Sequence, residues 1–153
     1  MKTLKENRQE IGRLLSESTV LTDDLDFEVY RFRTMPAVKP ATIRVTTMGS
    51  LPVSVRSLNG GTVMAQQRFA VVLRVQHEND APGDTLDPGL ISMETAEDML
   101  DDAEAEIVAV LSAYERHGDF WRKLVFTPVS RRPSSPDSLS QTRYAEIFIQ
   151  VFE

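Results

Sequence analysis

The spacing of apolar residues predicts two helices in this chain. Between Lys2 and Ser18, apolar residues recur on one helix face and polar residues fill the rest, which predicts an amphipathic helix. The same periodicity returns over a longer span, from Ser92 to Arg116. Ser92 is placed to cap this second helix and Gly118 to end it.

Segments rich in alternating or β-branched residues predict strands around these helices. Asn59-Gly60-Gly61 supplies the residues that a tight hairpin turn needs. The last segment alternates between two faces. One face carries Ala145, Ile147, Ile149 and Val151, and the other carries Tyr144, Phe148 and Phe152. We expect strands at Phe27 to Phe32, Ala41 to Thr47, Leu51 to Arg56, Val63 to Gln76, Asp119 to Phe126 and Tyr144 to Phe152.

Together these elements predict a single α+β domain over residues 1–153. We expect a mixed, mostly antiparallel β-sheet of about five or six strands, flanked by an N-terminal helix and a long central helix. Polar, Pro-rich segments at about 77–91 and 131–142 predict extended loops.

The amino-acid composition argues against several classes of function. The 153 residues include no cysteine, which excludes disulfides, thiolate metal sites and a Cys nucleophile. No apolar run is long enough for a membrane span, and Met1 to Arg8 does not resemble a signal peptide, so we expect neither a membrane protein nor a secretory leader. A net charge of −6 disfavours a protein that binds nucleic acid, although it suits the wall of a channel through which DNA passes without being bound.

The long helix has an unusual polar face, because acidic residues stand four positions apart without intervening cations. Like-charge pairs at this spacing each destabilise a helix by roughly 0.2–0.5 kcal/mol. The simpler interpretation is a solvated face that keeps the protein soluble. The alternative is an exposed or lumenal acidic surface that meets basic groups of another subunit or lines a DNA channel; its residues would be Asp98, Asp101 and Asp102.

No motif in the chain predicts catalysis, a metal or a cofactor. His77 and His117 are the only histidines and lack further ligands at metal-binding spacing, so we interpret both as structural. The acidic loop from Glu78 to Asp87 does not match a calcium-binding pattern, and Asn59-Gly60-Gly61 is not a phosphate loop. We therefore expect no enzyme.

Trp121 has two interpretations. A large aromatic residue just after a helix end is usually part of the core. Trp and Arg are also enriched where proteins meet, and Trp121-Arg122 is such a pair. Arg131 and Arg132 are further candidates for a contact between subunits.

The order of these elements resembles the tail terminator proteins of long-tailed bacteriophages. The resemblance rests on the leading helix, the Asp/Gly/Pro loop, the long helix and the Trp-led strand. Three segments also carry it: Met35 to Val45, which runs from prolines into a strand, Phe69 to Val75, and the final strand from about Arg143.

The resemblance implies a homohexameric ring that caps the tail tube, stops its polymerisation and presents a surface for joining the head. The implied partners are copies of the chain, the major tail tube protein and a head-closure or connector protein. DNA would only pass through, no membrane would be involved, and no cofactor is implied. The protein would be made in the host cytoplasm and would reside at the tail–neck junction of the virion.

Two alternatives stay open at this point. A head-closure or other neck protein would share the lack of chemistry and differ in its partner. A monomeric ligand-binding module, with the long loops framing a pocket, belongs to a different class.

Overall fold

The computed structural model describes residues 2–30, 39–55, 62–77, 91–127, 130–132 and 142–152. The first helix, α1, spans Leu4–Ser16. Thr3 and Glu6 form a capping box, in which each side chain bonds to the other residue's backbone N–H. A π-helical turn at Val20–Asp24 follows, which the sequence did not predict, and Asp26 then adopts a positive φ of 57°.

Six strands form one sheet. Their bounds are β1 Glu28–Tyr30, β2 Ala41–Val55, β3 Thr62–Gln76, β4 Lys123–Phe126, β5 Ser130–Arg132 and β6 Thr142–Phe152. The order is β1-β2-β3-β6-β4, with β5 also paired to β6. Only the β1–β2 pairing is parallel among the pairings of the described strands. The structure is therefore an α+β fold with a mixed, mostly antiparallel sheet, as predicted.

The central helix, α2, spans Met93–Ser112. Ser92 caps it as predicted, accepting a hydrogen bond from the backbone N–H of Thr95 at 3.1 Å. The prediction that it continues to Arg116 was wrong. Beyond Ser112 the chain tightens into turns, because Tyr114 and Glu115 donate to carbonyls three residues earlier.

Both helices contribute to one core on one side of the sheet. The fully buried side chains of α2 lie on its apolar stripe and meet the alternate residues of β3 and β6 that face the same way. Members of this core include Ile11, Leu15, Leu100, Ile107, Leu111, Phe69, Val71, Leu73, Ile147, Ile149 and Val151. The predicted division of the last strand is confirmed: its Ala/Ile/Val face is buried, whereas Tyr144, Phe148 and Phe152 are half-buried on the other face.

Strands β4 and β5 lie end to end along the same side of β6. Lys123 pairs with Phe152 and Phe126 with Ile149, whereas Arg131 pairs with Ala145. Between the two pairings the register moves by one residue, which is the signature of an irregularity in an edge strand.

Several strand boundaries differ from the predicted ones. The predicted strands at Ala41 to Thr47 and Leu51 to Arg56 are one strand, β2, with a register shift between Thr47 and Gly49. Gly49 has a φ of 114°, which only glycine adopts without strain. The strand predicted from Asp119 begins at Lys123. Of the loop predicted at 131–142, Arg131 and Arg132 belong to β5 and Thr142 to β6, and residues 133–141 lie outside the described residues. The predicted hairpin turn at Asn59-Gly60-Gly61 and most of the loop at 77–91 lie outside the described residues.

Candidate functional site

A cavity of about 430 Å³ lies at the C-terminal end of α2. The chain forms it by turning sharply after the helix: Gly118 has a φ of 42°, and His117 and Trp121 form a short antiparallel bridge. The residues that line the cavity are Glu115, Arg116, Gly118, Trp121, Arg122 and Lys123. We call it the cationic cavity, because three of its side chains are positive and one is negative.

The wall of the cationic cavity is rigidly held by Trp121. This residue is only 2% exposed, and its indole N–H donates to the carbonyl of Tyr114 at 2.8 Å. The bond satisfies one of the carbonyls that the end of α2 leaves unpaired. Of the two interpretations of Trp121, the structure supports the core one, since almost none of its surface is left for another chain.

His117 sits inside an aromatic cluster next to this wall. Its ring stacks on Phe120 with centroids 5.0 Å apart, and the rings of Tyr114 and Trp121 meet it edge-on at 5.0 and 5.1 Å. Its Nε2 lies 2.7 Å from Oε1 of Glu10, a residue of α1. The histidine therefore joins the two helices, which is the structural role that the sequence predicted.

Glu10 is the centre of a small ionic cluster. It is 7% exposed and lies between His117 and Arg13, whose guanidinium donates to both carboxylate oxygens at 2.9 and 2.5 Å. These bonds with Arg13, followed by the bond with His117, lower the pKa of Glu10 from 4.5 to about 2, although burial opposes the shift. A carboxylate that orients an imidazole also occurs in catalytic dyads. Here, however, His117 does not line the cationic cavity.

Among the described residues, no ion pair involves the three cations of the cationic cavity. Arg116, Arg122 and Lys123 are exposed, and within the described ranges none lies within 4.0 Å of a carboxylate oxygen. Arg122 is fixed through its backbone, which donates to the carbonyl of Phe152 at 2.9 Å. The cavity thus presents positive charge on a well-supported backbone.

The outer face of α2 carries the opposite charge. Asp98, Asp101 and Asp102 are exposed, as the helical wheel predicts. Two other acids on the helix are tied to the fold: Glu97 pairs with Arg143 at 2.8 Å, and Glu106 accepts a bond from Ser18 at 3.0 Å. We use the name acidic face for Asp98 and Asp102. Neither forms an ion pair or a hydrogen bond through its side chain with the rest of the described chain.

A third surface is the side of the sheet opposite the core, which we call the open sheet face. Among the described elements, both helices lie on the core side. The open sheet face carries half-buried aromatic residues at every fourth position of β6, with Glu146 and Gln150 between them, and an exposed arginine, Arg44, on β2. Phe148 lies near its middle, opposite Ala70 of β3. Such a mixture of aromatic and basic groups is typical of surfaces that meet another protein.

The structure brings some of the predicted contact residues together and separates others. Trp121 and Arg122 both line the cationic cavity. Arg131 and Arg132 pair with Ala145 and Tyr144, which lie about seven residues along β6 from Phe152, or roughly 23 Å away. The four residues therefore do not form one patch, and Asp98, Asp101 and Asp102 lie in the N-terminal half of α2.

Sequence reasoning missed Glu10 and the cationic cavity. The spacing of Glu10 and Arg13 was a usable signal, because residues three apart face each other on a helix. The pairing of Glu10 with His117 joins residues 107 positions apart, and nothing local announces it. Arg116 was missed because the helix was predicted to continue through it.

Comparison with protein-family models finds no match, and comparison with curated proteins finds no significant relative. No helix in the described part of the chain is both long and apolar enough to cross a membrane. The described residues also contain no group of three or more His, Cys, Asp or Glu placed to hold a metal ion.

Proposed function

We propose that this protein is a structural subunit of a phage tail, a tail terminator that forms a ring with copies of itself. The ring caps the tail tube, stops its polymerisation and offers the surface to which the head is joined. The subunit acts by stoichiometric binding and transforms no substrate.

The observation that supports this proposal most directly is the open sheet face. In the described part of the chain the helices cover one side of the sheet, and the aromatic residues of β6 on the other side keep part of their apolar area exposed. Burial of that area against another chain stabilises an assembly by about 25 cal/mol per Å². Half-buried Phe148 and Phe152 on β6 and exposed Arg44 on β2 are the residue types that such contacts favour.

Tube assembly provides the test. Tail tube protein of the same phage is polymerised with increasing amounts of this protein, and tube lengths are measured by negative-stain electron microscopy. We expect shorter tubes, each with a ring at one end. Tubes of unchanged length, together with rings that bind only the connector, would instead support the head-closure alternative.

A surface variant links the test to the open sheet face. Arg44→Glu changes an exposed side chain of that face, and Lys5→Glu makes a similar charge change at an exposed site on α1. We expect Arg44→Glu to reduce ring formation or capping, whereas Lys5→Glu leaves both unchanged. Equal effects of the two variants would remove the support that this surface gives to the proposal.

The cationic cavity favours a second candidate, a monomeric ligand-binding module. Its volume of about 430 Å³ falls within the range of small-molecule sites. Its lining is mainly charged, whereas small-molecule sites are mostly apolar, and this is why we rank the module second. Light scattering separates the candidates, since the module stays monomeric at every concentration with or without tubes.

A further inference from the structure

In the described part of the chain, the cationic cavity and the acidic face are two charged surfaces without an ion pair: the cavity lies at the C-terminal end of α2 and the acidic face in its N-terminal half. Each is unfavourable alone. The i,i+4 pair Asp98 and Asp102 repels, and the three cations of the cationic cavity share a small concave surface with only Glu115 to offset them.

The two surfaces are too far apart to neutralise each other within one chain. Asp98 and Asp102 are centred about 12 residues before the end of α2, which corresponds to roughly 18 Å at 1.5 Å per residue. At physiological ionic strength, charges are screened beyond about 8 Å. Within the described residues neither surface therefore has a charge partner, and a second copy of the chain can supply one.

Shape and spacing match as well as charge. Side chains four apart on a helix project together, about 5–6 Å apart at their Cβ atoms, so Asp98 and Asp102 present two carboxylates on one convex ridge. The cationic cavity is concave and offers Arg122 and Lys123 as neighbours on its wall. Arg can donate two parallel bonds to a carboxylate, which gives such a contact direction as well as strength.

We propose that the cationic cavity of one copy binds the acidic face of α2 of a second copy. Asp98 and Asp102 of one protomer contact Arg116, Arg122 and Lys123 of the other. The occupant of the cavity is thus this chain itself. The contact is one interface of the ring. It rests on the proposed function only for the number of copies that are joined.

Because each copy carries both the cationic cavity and the acidic face, two kinds of closed assembly are possible. Antiparallel pairing of two α2 helices satisfies both contacts within a dimer. Head-to-tail contacts instead continue from copy to copy and close as a ring. The local contact is the same in both, so it can be tested separately from the stoichiometry.

Charge reversal tests the contact. We compare self-association of the wild-type chain, Asp98→Lys/Asp102→Lys and Arg122→Glu/Lys123→Glu by sedimentation velocity over a range of concentrations. Each double variant should associate at least about ten-fold more weakly, because like charges would then face each other. An equimolar mixture of the two variants should regain wild-type association, since the reversed surfaces complement each other.

Asp23→Lys/Asp24→Lys is the matched control, because it makes the same charge change at exposed residues of the π-helical turn. It should associate like the wild type, and circular dichroism should show that all variants are folded. Association that is unaffected by both reversals, or a mixture that fails to recover, overturns the contact. A ring that still caps tubes in those variants would keep the proposed function and reject only this interface.

Cross-linking through introduced cysteines then distinguishes a dimer from a ring. Because the chain has no native cysteine, only the introduced residues can react. Ala105→Cys lies next to the acidic face and Asp119→Cys next to the cationic cavity, and both sites are exposed. With a short bis-maleimide, the double variant should cross-link, and each single variant should not. A ladder beyond two copies supports the contact and the ring; a dimer alone supports the contact and contradicts the ring. No cross-link in an associating sample overturns the contact.

Discussion

The two helices differ in how their charges are used. On α1, Arg13 lies between Glu10 and Glu17, and Glu6 completes the capping box, so these charges have partners inside the chain. On α2, seven of the 20 residues are acidic and none is basic. These polar side chains of α1 therefore stabilise the fold. The contacts reveal no such role for part of the outer face of α2.

Buried polar groups sharpen the contrast. Asn7 of α1 is fully buried and donates to the Gln67 side chain of β3 at 2.7 Å, and Glu10 reaches His117. The buried residues of α2 are all apolar. Hence α1 is positioned by directed bonds, whereas α2 is positioned mainly by its apolar stripe.

The largest expected effect comes from removing the centre of the α1 cluster. Glu10→Gln takes away a buried charge and leaves Arg13 and His117 without their shared partner. We expect a loss of about 2–3 kcal/mol in the free energy of unfolding, somewhat below the usual cost of breaking a buried pair, because Arg13 is partly exposed. Urea denaturation at pH 7 measures this loss.

Glu17→Gln is the control on the same helix. Glu17 also bonds to Arg13, at 2.7 Å, but its side chain is 56% exposed. Its removal should cost less than about 0.5 kcal/mol. Similar losses in the two variants would mean that burial does not distinguish these charges, and the comparison between the helices would fail.

Acid titration should reveal the same cluster without a mutation. Glu10 has a folded-state pKa of about 2, below its usual 4.5. A lowered pKa means that its contribution is fully present above about pH 4.5 and is lost as the pH falls toward 2. Between pH 6 and pH 3 the wild type should lose about 2 kcal/mol more stability than Glu10→Gln. Parallel losses in both proteins would place the cause in other carboxylates.

Local sequence patterns account for the elements but not for their arrangement. The periods of α2 and β6 identify their buried faces correctly, because burial repeats every 3.6 residues in a helix and every two in a strand. They do not reveal that β6 lies between β3 and β4, since that depends on contacts between distant residues. Pro52 was expected within a strand and lies within β2, where β3 is its only described neighbour, a position at which strands tolerate proline.

The candidate surfaces were predictable to different degrees. The acidic face follows from helix periodicity alone, so Asp98, Asp101 and Asp102 were correctly expected to be exposed. The cationic cavity depends on the turn after α2, where Trp121 captures the carbonyl of Tyr114. No local pattern encodes that bond, which links residues beyond the end of α2 and holds Trp121 in the lining that Arg116 shares.

A substitution on α2 should have the opposite sign to Glu10→Gln. Asp102→Lys converts the repulsions of residue 102 with Asp98 and Glu106 into attractions and introduces a better helix former. We expect the free energy of unfolding to rise by about 1 kcal/mol, measured by urea denaturation at low protein concentration. Ala109→Lys is the control for a gain caused by lysine alone, because this exposed position of the same helix has uncharged alanines four residues to either side. A destabilised Asp102→Lys would mean that Asp102 serves the fold.

The smallest effect is the response to salt, and it compares the helices in the unmodified protein. Exposed charges are screened by added salt, whereas a buried pair is screened much less. Raising NaCl should therefore relieve repulsion on α2 while leaving the Glu10 cluster intact. We expect a gain of about 0.5 kcal/mol in wild-type stability at pH 7, measured by urea denaturation at a concentration where the chain is monomeric. In Asp102→Lys the gain should vanish or reverse, because salt then weakens attraction. If both proteins gain equally, the salt effect does not originate from the acidic face.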